Sequence, residues 1–212
     1  MKIVVFGATG RTGVPLCERA LSRGHEVVAH VRSPEKLPTK LREMERLTLV
    51  TGDVYRGEGI ESAVAGVDAV ASVLGQTDDG PDDLLAVAGE HVTAAMVEAG
   101  VSRYVTLVGA GVRTEGESVS LGGRAMGLLL RLFARDVLAD AAEHVRRVRE
   151  TDLEWTVLRV PRLADGNPDG EYRIGDIELG FEAIDRADVA ACILDVIEDG
   201  TYVRELPKVG SA

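Results

Sequence analysis

Three glycines, an arginine and two threonines crowd the stretch Gly7-Ala8-Thr9-Gly10-Arg11-Thr12-Gly13. Their types and spacing suit one task, the holding of an anion against bare backbone. Gly7 permits a tight reversal after a buried strand. Gly10 lets the main chain approach a diphosphate with no Cβ in the way, and Gly13 allows the following helix to pack closely on the strand. That helix opens with unpaired N–H groups and the positive end of its dipole, both favourable to a bound anion. A lone glycine triplet says little. This one follows the β-branched run Ile3–Phe6 and precedes an amphipathic stretch, Thr12–Arg23, which is the context a dinucleotide turn requires. A glycine-rich turn with no ligand is the structural alternative.

An NAD-type site places a carboxylate about 20 residues further on, at the end of the second strand, to hold the ribose 2′-hydroxyl. Here "HEVVAHVRSPEKL" puts Arg32 and Ser33 in that place. Arg11 can reach the same point from the glycine turn. Two guanidiniums bracketing one position suit a 2′-phosphate, which they can hold through paired hydrogen bonds. The expectation is NADP(H) in preference to NAD(H), bound by Gly7, Thr9, Gly10, Arg11, Thr12, Gly13, Arg32 and Ser33; two solvated surface arginines are the competing reading.

The elements that must carry these residues alternate. Short β-branched runs stand at Ile3–Phe6, Glu26–Val31, Leu47–Val50, Ala69–Val73, Tyr104–Val108 and Trp155–Arg159. Helical stretches separate them at Thr12–Arg23, Pro34–Glu45, Ile60–Val64, Asp82–Ala99 and Arg124–Glu150. Such alternation predicts right-handed βαβ units in an α/β, doubly wound and mainly parallel sheet. Gly24, Gly66 and Gly100 stand where helices should stop in left-handed backbone. Gln76–Asp83 and Arg113–Gly123 read as mobile loops at the strands' carboxyl ends. After Arg159 the pattern loosens into a loop, a short strand at Glu171–Ile174, a helix capped by Asp185 with Ile184 as its staple, and a last strand in "TYVREL". The 212 residues read as one domain, with a dinucleotide-binding core over about 1–159 and C-terminal elements over about 160–212.

The formal net charge of −11 argues against a nucleic-acid partner. No apolar run reaches the length of a membrane span, and the N-terminus lacks a signal-peptide layout, so a cytoplasmic protein is expected. Only Lys2, Lys36, Lys40 and Lys208 among the 24 basic residues are lysines, a composition that a high-salt cytoplasm could favour. Cys17 and Cys192 show no metal-ligand spacing and read as buried free thiols.

"GATGRTG", "HVRSPEKL", "VTGDV", "VASVLGQ", "TDLEWTVLRVPRLADG" and "RADVAACILDVIED" together cover nearly the whole chain. In them the sequence resembles the NAD(P)H-binding, NmrA-like group of atypical short-chain dehydrogenases/reductases, and among these the small members similar to flavin reductase/biliverdin-IX-beta reductase. The resemblance implies a Rossmann-type sheet and a small C-terminal substrate lobe. It also implies that Asp53 and Val54 border the adenine and that Leu74 and Gly75 lie beside the ribose or diphosphate. A carboxylate that merely caps a turn is the alternative for Asp53.

The usual acid of such enzymes is missing. None of Tyr55, Tyr104, Tyr172 and Tyr202 has a lysine four residues later. The serine expected at the end of the fifth strand is replaced by Val108, Gly109 and Ala110, with Thr106 the only nearby hydroxyl. Thr106 and His144 are the remaining catalytic candidates, and Glu143 and His144 read first as structural. Gly109, Ala110 and Gly111, with Pro161 and Arg162, would line a substrate pocket, Arg162 as an anchor for an anionic substrate. The apolar Ala125–Leu138 segment would form its wall or an ordinary interface helix. Hydride transfer to a flavin or quinone can take its proton from water, leaving the protein to supply positioning and a dry platform. The expected activity is therefore an NADPH-dependent reductase of a flat conjugated small molecule, in a monomer or homodimer. A non-catalytic NADP(H) sensor with a protein partner is the rival, and a nucleotide-sugar epimerase a weaker one.

Overall fold

The computed structural model describes residues 1–77, 80–112, 135–166, 168, 170–180 and 182–212. In chain order the elements are β1 (Lys2–Phe6), α1 (Gly13–Ser22), β2 (Glu26–Val31), α2 (Thr39–Arg42), β3 (Leu47–Thr51), α3 (Ile60–Val64), β4 (Ala69–Ser72) and α4 (Leu84–Ala99). There follow β5 (Arg103–Gly109), α5 (Arg135–Arg149), β6 (Glu154–Val160), β7 (Arg162–Ala164), β8 (Tyr172–Gly175), β9 (Ala183–Asp185), α6 (Arg186–Glu198) and β10 (Lys208–Ser211). Among the described residues the main sheet has the order β3-β2-β1-β4-β5-β6-β10-β8, and β7 pairs β9 in a second, two-stranded sheet. Neighbouring strands of the main sheet run parallel except β8, which is antiparallel to β10. This is the doubly wound arrangement that the alternation predicts, with its reversal of strand order between β1 and β4.

Parallel strands covered on both faces must be apolar on both, and β1 shows why "IVVF" has no alternation. Ile3 and Val5 enter one core with Leu16, Cys17, Ala20 and the inward face of α6. Val4 and Phe6 enter the other with Ala88, Val92, Met96 and Val145 from α4 and α5. Leu16 and Ile193 are fully buried, and each such side chain contributes ~2 kcal/mol. Cys17 and Cys192 are buried and unpaired, and burial pushes both thiols up to about 12. No helix among the described residues is long and apolar enough to cross a membrane.

Gly24, Gly66 and Gly100 do lie in left-handed backbone, at φ of 87°, 65° and 71°. Three expectations need correction. The helix expected over Pro34–Glu45 is cut into a 3-10 turn at Pro34–Lys36 and a single turn, α2, because Pro38 supplies no N–H and biases Leu37 to extended backbone. The last strand lies not in "TYVREL" but at Lys208–Ser211. Tyr202 and Arg204 have φ of 55° and 59°, which folds that segment back so that Arg204 N donates to Trp155 O. The stretch after Pro161, expected as loop, forms β7, which gains a ladder by pairing β9. The C-terminal elements are thus divided: β8 and β10 extend the main sheet, while β7 and β9 form the second. Arg113–Gly123 and Ala125–Ala134 fall outside the described residues.

At the amino end of the sheet, Arg103 is 5% exposed. Its guanidinium donates to the carbonyls of Glu154, Val196 and Thr201 and to Thr156 Oγ1, at 2.7–2.9 Å. It ties β5, β6 and both ends of the α6 exit together where no regular ladder can. Arg103→Met keeps the apolar stem but strands the four acceptors, two of them in buried hydrogen bonds. The expected loss is about 2–4 kcal/mol of unfolding free energy, read from urea titration with an unchanged dependence on denaturant.

Candidate active site

Because β1 to β6 are parallel, their carboxyl ends share one edge of the sheet, and the order reverses between β1 and β4. Open α/β sheets bind ligands in the crevice at that reversal. Gly7 lies at φ +84°, and a Cβ there would meet Val73 O at 2.9 Å and Leu74 N at 3.2 Å. A Cβ on Gly13 would stand 2.1 Å from Gly7 O and 2.7 Å from Ala8 Cα. Both positions therefore admit only glycine, one for φ and close approach, the other for the seating of α1 on the turn. Gly10 N donates to Gly7 O at 2.9 Å and Val14 N to Gly10 O at 3.0 Å, closing the turn into the helix. Thr12, the residue before α1, makes no side-chain cap. Pro15, in the first turn, lacks only an N–H that has no partner within the helix. The bare first turn of α1 thus faces the edge where β1 and β4 part.

Thr9 is half-buried, Gly10 and Arg11 are exposed, and Thr12 is buried. Arg32 and Ser33 follow directly on β2; Arg32 is exposed and enters no ion pair among the described residues. Arg11 is engaged, its guanidinium donating to Asp165 Oδ2 at 2.9 Å. Asp53 follows β3 and caps a 3-10 turn, its Oδ1 accepting from Tyr55 N at 3.0 Å. Val54 is buried in the second core and its carbonyl accepts from His91. Leu74 is half-buried and Gly75 exposed, immediately beside Gly7.

Beyond β5 the backbone turns sharply: Ala110 N donates to Val160 O at 2.7 Å and Val112 N to Gly109 O at 3.1 Å. No described heavy atom comes within 4 Å of where a Cβ would stand on Gly75 or Gly109. Ala110, Gly111 and Pro161 are half-buried, and Arg162 is exposed at the start of β7. These residues share the edge with the glycine turn. Thr106 and His144 are set deeper. Each is 2% exposed, and Thr106 Oγ1 lies 3.4 Å from His144 Nε2 beneath β5. Gly89 of α4 makes room for the ring, since a Cβ there would fall 2.2 Å from His144 Nδ1.

The wall after β4 is fastened from α5. Asp140, 5% exposed, accepts from Gln76 Nε2 at 2.7 Å and from Leu85 N and Ala86 N at 2.9 and 2.8 Å. It supplies across space the cap that Asp83 does not, whose own carboxylate accepts from Tyr55 OH. Neither Asp140 nor Asp165 is expected from motif spacing. Asp140 carries a signal all the same, since it shares an inward face with Ala141, His144 and Val145, where a carboxylate must be hydrogen-bonded to be tolerated. A groove of about 650 Å³ between α4 and α5 lies on the far layer, lined by Glu90, Val97, Arg146, Arg147 and Glu150. Arg146 pairs with Glu150 there and Arg147 with Glu90.

A family model described as NAD(P)H-binding matches residues 7–200. The chain is 27% identical over 216 residues to the uncharacterized protein YwnB of Bacillus subtilis, covering 97% of this chain and 96% of that protein. Among solved structures, a short-chain dehydrogenase/reductase from Veillonella parvula in complex with NADP superposes with a TM-score of 0.81 at 18% identity, over 99% of this chain and 94% of that one. ChuY, an anaerobillin reductase from Escherichia coli O157:H7, superposes with a TM-score of 0.78 at 22% identity, over 100% of this chain and 97% of that one. Identities this low establish a shared fold.

Burial holds the His144 imidazole down at about 4, against about 6.5 in an unfolded chain. Above pH 6.5 the ring is neutral in both states and contributes no pH dependence. Below it the unfolded chain takes the proton first, so stability falls by up to ~1.4 kcal/mol per pH unit until about pH 4. Unfolding free energies measured between pH 7.5 and 4.5 should decline, and less steeply in His144→Asn.

Proposed function

Since the chain belongs to the NAD(P)H-binding family, we propose that it is an NADPH-dependent reductase of a flat, conjugated small molecule of flavin or quinone type. One observation carries this reading. The carboxyl end of β5, where a carbonyl-orienting serine would stand, is Gly109, with no described atom within 4 Å of where its Cβ would stand, while Thr106 and His144 lie buried beneath the strand. His144 is neutral at physiological pH and has no exposed face from which to donate a proton. The edge therefore offers a flat, small-residue platform rather than an acid.

The residues fit a dinucleotide. The turn at Gly7–Gly13 presents bare amides and the N-terminus of α1 to a diphosphate, and Gly75 leaves the neighbouring wall open. Arg32 and Arg11 would hold the 2′-phosphate from its two sides, Ser33 with them, and Asp53 and Val54 would border the adenine. Bound NADPH supplies a hydride to the conjugated acceptor, which takes its proton from water, leaving NADP⁺ and the reduced acceptor. The chain's own part is approximation: Gly109, Ala110, Gly111 and Pro161 orient the acceptor, and Arg162 steers an anionic one. The reductase named among the structural neighbours supports the reaction class, and the NADP complex the choice of cofactor.

Purified protein mixed with NADPH and a panel of flavins and quinones should oxidise the cofactor, followed at the nicotinamide absorbance band. Tight NADPH binding without turnover across the panel would instead identify a sensor. Arg32→Glu should weaken NADPH binding at least tenfold, by loss of one charge-assisted contact and gain of a repulsion, and leave NADH binding nearly unchanged. Equal losses for both nucleotides would refute the assignment of Arg32.

A further inference from the structure

Asp165 stands in the turn after β7, with a guanidinium on each carboxylate oxygen. Oδ1 accepts from Arg186 at 2.8 Å and Oδ2 from Arg11 at 2.9 Å. The two partners are unlike. The Arg186 side chain is 12% exposed and opens α6, whereas that of Arg11 is 73% exposed and projects from the glycine turn. The turn that carries Asp165 is itself anchored. Gly166 N donates to Asp185 Oδ2 at 2.6 Å, and Asp185 Oδ1 caps α6 by accepting from Ala187 N at 2.8 Å. A nearly buried arginine and a capped helix therefore hold Asp165 in place from its own side. Its second oxygen presents a fixed negative charge to the exposed guanidinium of Arg11.

We propose that Asp165 is a specificity-determining residue, a counter-ion seated on Arg11 that opposes the binding of a 2′-phosphorylated dinucleotide. This rests on the reading above that Arg11 meets the 2′-phosphate. That group brings close to two negative charges to a guanidinium that already serves a carboxylate. Arg11 must then leave Asp165 or hold two anions side by side, and either course weakens NADPH binding. NADH makes no demand on Arg11 and is indifferent to Asp165. Asp165 thus narrows the gap between the two cofactors that Arg32 and Arg11 open. Solvent around the pair screens the effect, which makes it a matter of several-fold rather than of orders of magnitude.

The test is calorimetric titration of NADPH and of NADH into wild type, Asp165→Asn, Asp165→Ser and Arg11→Gln, and into the double variant Arg11→Gln/Asp165→Asn. Thermal unfolding of each identifies those that fold. Removing the charge at Asp165 should tighten NADPH binding about fivefold at low ionic strength, leave NADH binding within twofold, and lose most of its effect in molar salt. In the Arg11→Gln background the same substitution should change nothing. Unchanged or weakened NADPH binding, an equal gain for NADH, or a gain that survives without Arg11 would each overturn the proposal. If wild type bound neither nucleotide, the reading of the cleft itself would fall, a result distinct from binding that ignores residue 165.

Discussion

The molecule is organised around one close approach. With Gly13 seated against Gly7 O and the Ala8 backbone, α1 begins as near to the end of β1 as two main chains can come. That contact aims the axis of α1 at the crevice and sets the opening amides of the helix at the edge where β1 and β4 part. It also fixes the height of α1 on the sheet, and so which residues of the helix meet α6 and the first core. The adjoining pinch between Gly7 and Val73 does the same for the wall after β4. Neither contact tolerates a side chain, so these two glycines set the packing at the crevice.

The two ends of the sheet are built on opposite plans. The amino end is locked by a buried guanidinium, Arg103, with every donor aimed at a carbonyl or hydroxyl except Nε. The carboxyl end is lined by glycine and alanine and carries its charges on exposed arginines and on Asp165. Between them, among the described residues, the buried polar atoms Tyr104 OH, His144 Nδ1 and Trp155 Nε1 have no hydrogen-bond partner. Unmet polar groups of this kind lower stability, and they lie in the layer that separates the rigid end from the open one. The shift imposed on His144 arises here, from a ring enclosed by Tyr104, Thr106 and the backbone at Gly89.

Much of this was legible in the residues. Buried parallel strands announce themselves as unbroken β-branched runs, which is why β1, β2 and β5 stand within a residue of their expected bounds. Glycine at helix ends marked Gly24, Gly66 and Gly100, because left-handed backbone is a local property. What escaped was non-local. The pairing of β7 with β9, the fold-back at Tyr202 and Arg204, and the cap that Asp140 lends to α4 depend on partners 20 to 55 residues away, which no local pattern records. The site divides along the same line. The glycine turn is a local motif, whereas the engagement of Arg11 by Asp165 spans 154 residues and belongs to the assembled fold.

Strand β10 occupies a slot between β6 and β8, although it comes last in sequence among the described strands. While the polypeptide is being made, β8 has no neighbour in the main sheet until residues 208–211 have emerged from the ribosome. Until then β6 presents a raw flank, the kind of surface that recruits stray strands from other molecules. The nascent chain thus keeps an open flank until β10 arrives, and residues 208–211 act as the bolt that shuts the sheet.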